Sequence, residues 1–409
     1  MKILIVTARF PQALGKGDSL TVYHLIKYLV PRHDVYLACF YSTDRQLAGL
    51  ADLEQMCREV RLVKINGLRS ISNMATSLLF RDEPMQNAYY RGRAMRQAVN
   101  DLIAKHRPDV VYGQLFRVAP YIAGRKDTKT VLAMQISYTL QYRRVLERVK
   151  NPIQKLFYSI EYNRVRKYEP AITREFDSCL LISKYDKESL DGHEGITNVF
   201  YSPHGIDVAY LTPSGRHEKE DLILFCGIME FISNIDAVTY FHREVYPLIK
   251  KRLPHVKLCI AGRSPTKAVL KLAEKDPSVT VTGFVKDLRP LYEKARVGID
   301  PLRIGAGLQN KLLVSMCMGL PTVSTTIANE GIAGIPGKHL LIADEPEAFA
   351  AAVTDLLTNT ALAERIARDA REYVEKEWTW EYHFQRLERH LISLVEDGKR
   401  PVRPGDESE

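Results

Sequence analysis

The stretch GIDPLRIGAGLQNKLLVSMCMGLPTV, Gly298–Val323, decides the fold. Its apolar opening ends in Asp300-Pro301 and reads as a buried strand. The loop Arg303-Ile304-Gly305-Ala306-Gly307 follows. Then comes a run from Leu308 to Met318 with Leu312, Leu313 and Met316 at helical core spacing. Gly319 and Pro321 stop that helix, and Pro321-Thr322-Val323 opens a new strand. The helix N-terminus therefore lies at the carboxyl end of a parallel strand. Free backbone N–H groups and the positive end of the helix dipole favour an anion there. Arg303 in the loop and Lys311 in the first turn are positioned to face a phosphate. The plainer alternative is a surface loop with two solvated bases.

The same pattern extends in both directions. Upstream, Leu222–Cys226 reads as a strand ending at Gly227, Val256–Ile260 as one ending at Ala261-Gly262-Arg263, and Val279–Val281 as one ending at Gly283-Phe284. Helices are expected over Ile235–Leu248 and Leu288–Ala295. Downstream come a strand at Leu340–Ile342 and helices at Glu347–Leu357, Ala361–Trp378 and Glu381–Val395. Ligands collect beyond the carboxyl ends of the strands in such sheets. Gly227, Gly262-Arg263, Gly283-Phe284 and the segment from Arg303 to Lys311 all converge there, which favours the phosphate reading over the bland one.

The first half repeats the design. Lys2–Val6, Val35–Phe40, Asp109–Tyr112, Thr130–Met134, Asp177–Ile182 and Val199–Tyr201 are the expected strands, with a helix over Leu20–Val30 and a mainly helical Ala51–Arg107. Gly15-Lys16-Gly17 precedes the first helix, but no third glycine completes a dinucleotide fingerprint, and no acidic residue follows the next strand, so an NAD-dependent enzyme is disfavoured. The fold class is α/β: two Rossmann-like doubly wound domains facing a cleft. The polar segment Thr212–Asp221 reads as the linker. The expected division is 1–211, 212–380, a C-terminal helix at 381–397 that returns to the first domain, and a disordered tail at 398–409.

The chain has 409 residues, enough for two domains of ordinary size, and a formal net charge of +9 that suits an anionic partner. No apolar run is long enough to span a bilayer, and the N-terminus lacks the features of a signal peptide. A cytoplasmic protein is expected. The six cysteines are scattered through apolar runs and read as reduced core thiols rather than metal ligands. Tyr142–Arg174 is rich in Arg and Lys with interleaved aromatics, and Pro152 and Pro170 are expected to interrupt it. It is either a solvated helical face or a surface for an anionic acceptor or membrane lipid. The bases follow no RNA-module pattern, which argues against nucleic acid as a partner.

The segments ARFPQALGKGDSLTVYHLIKYL, LLISKYD, YSPHGIDVAYLTP, FCGIMEFISNIDAV, CIAGRSPTKAV, VTGFVKDLRPLYEKARVGIDPL and LQNKLLVSMCMGLPTVST cover nearly the whole chain. In this order they resemble the GT-B nucleotide-sugar glycosyltransferases of family 4, in particular the sugar transferases of bacterial exopolysaccharide clusters. The resemblance implies retaining transfer of a hexose from a nucleoside-diphosphate sugar, UDP ahead of GDP, to a glycan or lipid-linked acceptor, with no cofactor and no metal. It implies that Lys311, Arg263 and Arg303 neutralise the departing diphosphate. Gly227, Glu230, Phe284, Val285, Gly305, Gly307, Gln309 and Asn310 would hold the donor. Gly15, Gly17, Asp18, His24 and Gln135 would meet the acceptor, although a histidine inside a helix is also a common packing residue. The family's two glutamates are replaced by Ala306 and Val314, and its usual Arg and Lys are absent from Gly227–Asn234. These departures keep a second expectation open, a catalytically degenerate scaffold subunit.

Overall fold

The computed structural model describes residues 1–13, 17–80 and 82–397. The expected tail at 398–409 lies outside the described residues. Two parallel sheets carry the fold. The first has strands β1 (Lys2–Thr7), β2 (Asp34–Tyr41), β3 (Glu59–Lys64), β4 (Val110–Gln114), β5 (Lys129–Gln135), β6 (Ser178–Leu181) and β7 (Val199–Tyr201), in the order β3-β2-β1-β4-β5-β6-β7. The second has β8 (Glu220–Cys226), β9 (Lys257–Ala261), β10 (Val279–Val281), β11 (Ala295–Asp300), β12 (Thr322–Ser324) and β13 (Leu341–Ile342), in the order β10-β9-β8-β11-β12-β13. Both orders reverse beside the first strand of their lobe, and the paired strands are parallel, as in β1 with β2 and β4 or β8 with β9 and β11. This is the doubly wound pattern, used twice. The strands were legible because burial on both faces makes them continuous apolar runs: Ile3, Leu4, Ile5 and Val6 are all fully buried.

Ala51–Arg107 is mainly helical, as expected, with helices at Leu50–Met56, Gly67–Phe80, Met85–Tyr90 and Arg93–His106, but it also holds β3, which the expectation left out. β3 is an edge strand, EVRLVK, half-buried along its length. Its charges are interspersed with Val60, Leu62 and Val63, which pack on the core of the first lobe. The region Tyr142–Arg174 is interrupted at Pro152, as expected, one helix ending at Arg148 before it, but not at Pro170. Pro152 starts the helix Pro152–Thr173, whose cap Asn151 accepts from the N–H groups of Ile153 and Gln154. Pro170 lies inside that helix, in its last turn, and does not end it.

The chain changes lobes at two crossings that lie side by side. Ile206 N–H donates to the carbonyl of Trp378 at 2.8 Å, and Ile206 pairs with Thr379 in a short parallel bridge. Ile206, Val208 and Leu211 pack with Leu312, Met316, Ala370 and Trp378 of the second lobe. The first lobe therefore ends before Ile206, earlier than the polar linker suggests. The final helix, Trp380–Asp397, returns to the first lobe and lays Phe384, Leu387, Leu391 and Val395 against Leu25, Leu29 and Leu37. All six cysteines are buried and free.

Candidate functional site

At the carboxyl edge of the second sheet three strand tips are stitched together. Gly227 N–H donates to Ala261 O at 2.9 Å, Gly262 N–H to Gly283 O at 3.2 Å, and Met229 N–H to Arg263 O at 3.0 Å. Gly262 has φ +146°, and a Cβ there would sit 1.7 Å from the carbonyl oxygen of Gly227. Only glycine lets these two turns touch. They form one wall of a cavity of 470 Å³ whose lining includes Gly227, Gly262, Arg263, Phe284, Val285, Asn310 and Lys311. Phe284 is 74% exposed, so its ring presents a free apolar face. The volume and lining, apolar with a few convergent cations, suit a ligand of nucleotide size.

The helix Asn310–Cys317 points its first turn into the cavity. Lys311 is held 3.3 Å from Asp300 at the end of β11, donates to Gln309 Oε1 at 3.0 Å, and passes 5.7 Å from the Phe225 ring centroid. Asp300 is fully buried, and burial pushes its carboxyl up to about 6 against the opposing pull of Lys311. Neither carboxylate oxygen makes an aligned hydrogen bond among the described residues, so the ammonium is its one close counter-charge there. Arg263 has no ion pair among the described residues and is free to meet an anion. The lining carries four cations, Arg263, Lys286, Arg289 and Lys311, of which Arg289 is paired with Asp287 at 2.8 Å; Arg263 and Lys311 lie at the strand tips and the helix N-terminus.

Residues 220–359 match the family described as glycosyl transferases group 1. The chain is 25% identical over 394 residues to an uncharacterized 44.6 kDa protein in the cps region of Klebsiella pneumoniae, covering 92% of this chain and 96% of that one. It is 23% identical over 401 residues to a glycogen synthase of Mycobacterium tuberculosis, covering 93% and 92%. A crystal structure of Anabaena HepE with UDP and glucose superposes with a TM-score of 0.66 at 13% identity, over 96% of this chain and all of that one. The chain has the GT-B glycosyltransferase fold and carries a group 1 glycosyl transferase domain.

Within this GT-B frame the expected residues separate into several places. Arg303 does not join the cavity. Its guanidinium makes a two-point ion pair with Asp236 at 2.9 and 2.6 Å and stacks 4.1 Å from the Tyr240 ring centroid, so its charge is already neutralised on the outer side of the loop. Gly305 and Gly307 face the first lobe. The carbonyl of Gly305 accepts from Arg144 at 2.6 Å, and Gly307 N–H donates to Asp186 at 2.8 Å. Arg144 also pairs with Glu330 at 2.7 and 2.8 Å. The loop expected to cradle phosphate is therefore gripped from across the cleft, and Arg144 belongs to this grip rather than to an exposed basic face. Glu230 is exposed in the turn before the helix Ile232–Tyr240 and does not line the cavity.

Gly17 opens the first helix and faces Asn310, whose amide nitrogen would lie 3.6 Å from a Cβ at Gly17. Asp18 is tied to Arg9 at 2.5 Å. Gly15 lies outside the described residues. His24 is remote from the cavity: it stacks on Trp380 at 4.8 Å and lines a separate pocket with Tyr28 and Phe384, where burial lowers its basicity. Gln135 sits with φ +76° at the end of β5, its carbonyl accepting from Ile182 N–H at 3.0 Å, beneath the lobe junction and outside the large cavity. Two positioning residues went unassigned from sequence. His204 holds the Asn310 side chain at 2.9 Å, and buried Asp300 holds Lys311. A charged residue closing an apolar strand was the available signal for Asp300.

Proposed function

We propose that the chain is a retaining hexosyltransferase of family 4 type. It takes a nucleoside-diphosphate sugar, UDP ahead of GDP, and passes the hexose to a glycan or lipid-linked acceptor during bacterial polysaccharide or glycolipid synthesis in the cytoplasm. The observation that carries this reading is the cavity where Arg263, Lys311 and the N-terminus of the helix Asn310–Cys317 converge beside an exposed Phe284. The nucleobase packs against Phe284-Val285, and the two cations meet the diphosphate where negative charge develops as the sugar leaves. The cps-region relative supports polysaccharide synthesis, and the UDP and glucose held by Anabaena HepE support the donor class.

Thermal unfolding with UDP, GDP and ADP tests this directly. One nucleotide, at a hundred times its dissociation constant, stabilises the chain by about 2.7 kcal/mol and raises the melting temperature by several degrees. No shift with any of the three favours the alternative, a catalytically degenerate binding subunit. That alternative draws support from Ala306 and Val314 and from the Gly307 N–H being taken by Asp186.

Contact with anionic membrane is part of the same proposal. No helix among the described residues is long and apolar enough to cross a membrane. The hairpin of helices Tyr138–Arg148 and Pro152–Thr173 instead ends in exposed Ile153, Leu156 and Phe157 beside exposed Arg148, Lys150 and Lys155. An apolar tip ringed by bases suits a lipid surface. Replacing Lys150 and Lys155 with glutamine and Leu156 with serine reduces sedimentation with vesicles of anionic phospholipid by about tenfold or more, at roughly 1 kcal/mol for each lysine. Unchanged sedimentation removes lipid contact from the proposal.

A further inference from the structure

The cavity of the second lobe is rich in groups that give hydrogen bonds and poor in groups that can receive them. Arg263, Lys286, Arg289 and Lys311 line it, and all four side chains only donate. Asn310 joins them through its amide nitrogen, because its Oδ1 is bonded to His204 at 2.9 Å. Asp287 is the carboxylate of the lining, and Arg289 takes both its oxygens, with Nε 3.0 Å from Oδ1 and Nη2 2.8 Å from Oδ2. The backbone N–H of Arg289 donates to Oδ1 as well, at 3.0 Å. Asp300 lies behind Lys311 and does not line the cavity. Tyr292 is buried with its hydroxyl toward Cys226 and Ser315, and Tyr210 gives its ring face to Arg289 at 4.2 Å. Among the described residues the lining therefore keeps no carboxylate free. Residues 14–16, outside the described residues, are Leu, Gly and Lys and carry no side-chain acceptor.

The two ends of a bound nucleotide fix where its pentose lies. With the base on Phe284-Val285 and the diphosphate at Lys311 and Arg263, the pentose spans the gap between them. Asn310, Lys311 and Val314 share one face of the helix Asn310–Cys317, and all three line the cavity. Val314 stands one helical turn beyond the diphosphate end. It is half-buried and packs, as Leu211 and Leu288 do, on the cluster that holds Cys226 and Tyr292. These five residues all line the cavity, so the wall beside the pentose is apolar. A ribose 2′-hydroxyl brought against it leaves water and gains no charged partner in return. A 2′-methylene packs on the same wall without that cost.

Resting on the transferase reading above, we propose that the donor site does not select for ribose and takes 2′-deoxynucleoside diphosphate sugars as readily as their ribonucleoside counterparts. Val314 is the residue that sets this indifference. Selection falls on the two ends of the donor, the base on Phe284-Val285 and the diphosphate on its cations, and not on the pentose between them. The donor class of the chain therefore includes sugars activated on a deoxyribose nucleotide.

Calorimetric titration of the full chain with UDP, GDP and ADP, each beside its 2′-deoxy form, tests this. For the base that binds, the ribo and deoxy forms are expected to have dissociation constants within about threefold of each other. Val314→Glu puts a carboxylate on the wall. Its repulsion of the diphosphate is common to both forms and cancels in their ratio. That variant is expected to prefer the ribo form by about tenfold or more, the usual effect of a hydroxyl bonded to a charged group. Val314→Gln, a neutral acceptor of similar size, is expected to shift the ratio the same way by about threefold, and serves if the glutamate variant does not fold. A wild-type chain that prefers the ribo form by tenfold or more overturns the proposal and leaves the transferase reading standing. An unchanged ratio in folded Val314→Glu and Val314→Gln overturns the role given to Val314. Binding of none of the six nucleotides removes the transferase reading and this proposal together.

Discussion

Lys311→Ala lowers transfer by about 10²–10³-fold, the usual effect of removing one preorganised charge from a site where an oxyanion develops. The loss falls on kcat, because the ammonium matters most as the diphosphate gains charge. Lys311 is also the counter-ion of buried Asp300, and stripping one partner from a buried pair costs about 3–5 kcal/mol. The double variant Lys311→Ala, Asp300→Asn separates the two roles: stability returns while transfer stays low. Recovery of transfer in the double variant shows that the lysine served only the fold. The pH dependence gives an independent handle. The Asp300 carboxyl is raised above its ordinary value of 3.8 to about 6, so the folded state holds a proton that the unfolded chain releases. That contribution is complete below about pH 3.8 and fades as pH rises through 6. Asp300→Asn lacks it and gains on the wild type across this window by roughly 3 kcal/mol, read by denaturant unfolding at pH 4.5 and 7.5.

Gly262→Ala abolishes the nucleotide-induced thermal shift and destabilises the second lobe by about 3 kcal/mol or more. The new Cβ would meet a backbone carbonyl at 1.7 Å, and no side chain is available to swing away. The backbone cannot retreat either, because Gly227 N–H is committed to Ala261 and Gly262 N–H to Gly283. The positive φ adds strain for any L side chain. Gly283→Ala is the control. Its φ is +67° but a Cβ there has nothing within 4 Å, so it bears only the conformational penalty of about 1–2 kcal/mol and keeps nucleotide binding. Equal behaviour of the two variants removes the close approach of the turns as the reason for glycine.

Local pattern carried the reading of this chain where physics is local, and failed where partners are distant. Buried strands announce themselves as apolar runs, so both sheets were legible, while β3 was lost because an edge strand can carry charges, here Glu59, Arg61 and Lys64, that break up its apolar run. The stretch around Gly305–Lys311 read correctly as loop then helix. Which of its polar groups remain free did not follow. Arg303 is neutralised by Asp236 and Gly307 is held by Asp186, contacts that span 67 and 121 residues. Arg263 and Arg303 look alike in sequence, and only packing shows that one is spent and the other available. His24 was similarly ambiguous until Trp380, brought back by the last helix, stacked upon it.

That returning helix has a consequence for how the protein is made. Phe384, Leu387, Leu391 and Val395 complete the core beneath β1 and β2, whose residues leave the ribosome before any of the second lobe. A nascent chain that has built every strand of both sheets still has one flank of its oldest part open to water. The lobe begun first is finished last, and through synthesis of the whole second lobe that greasy flank is left for chaperones, or for neighbouring chains, to find.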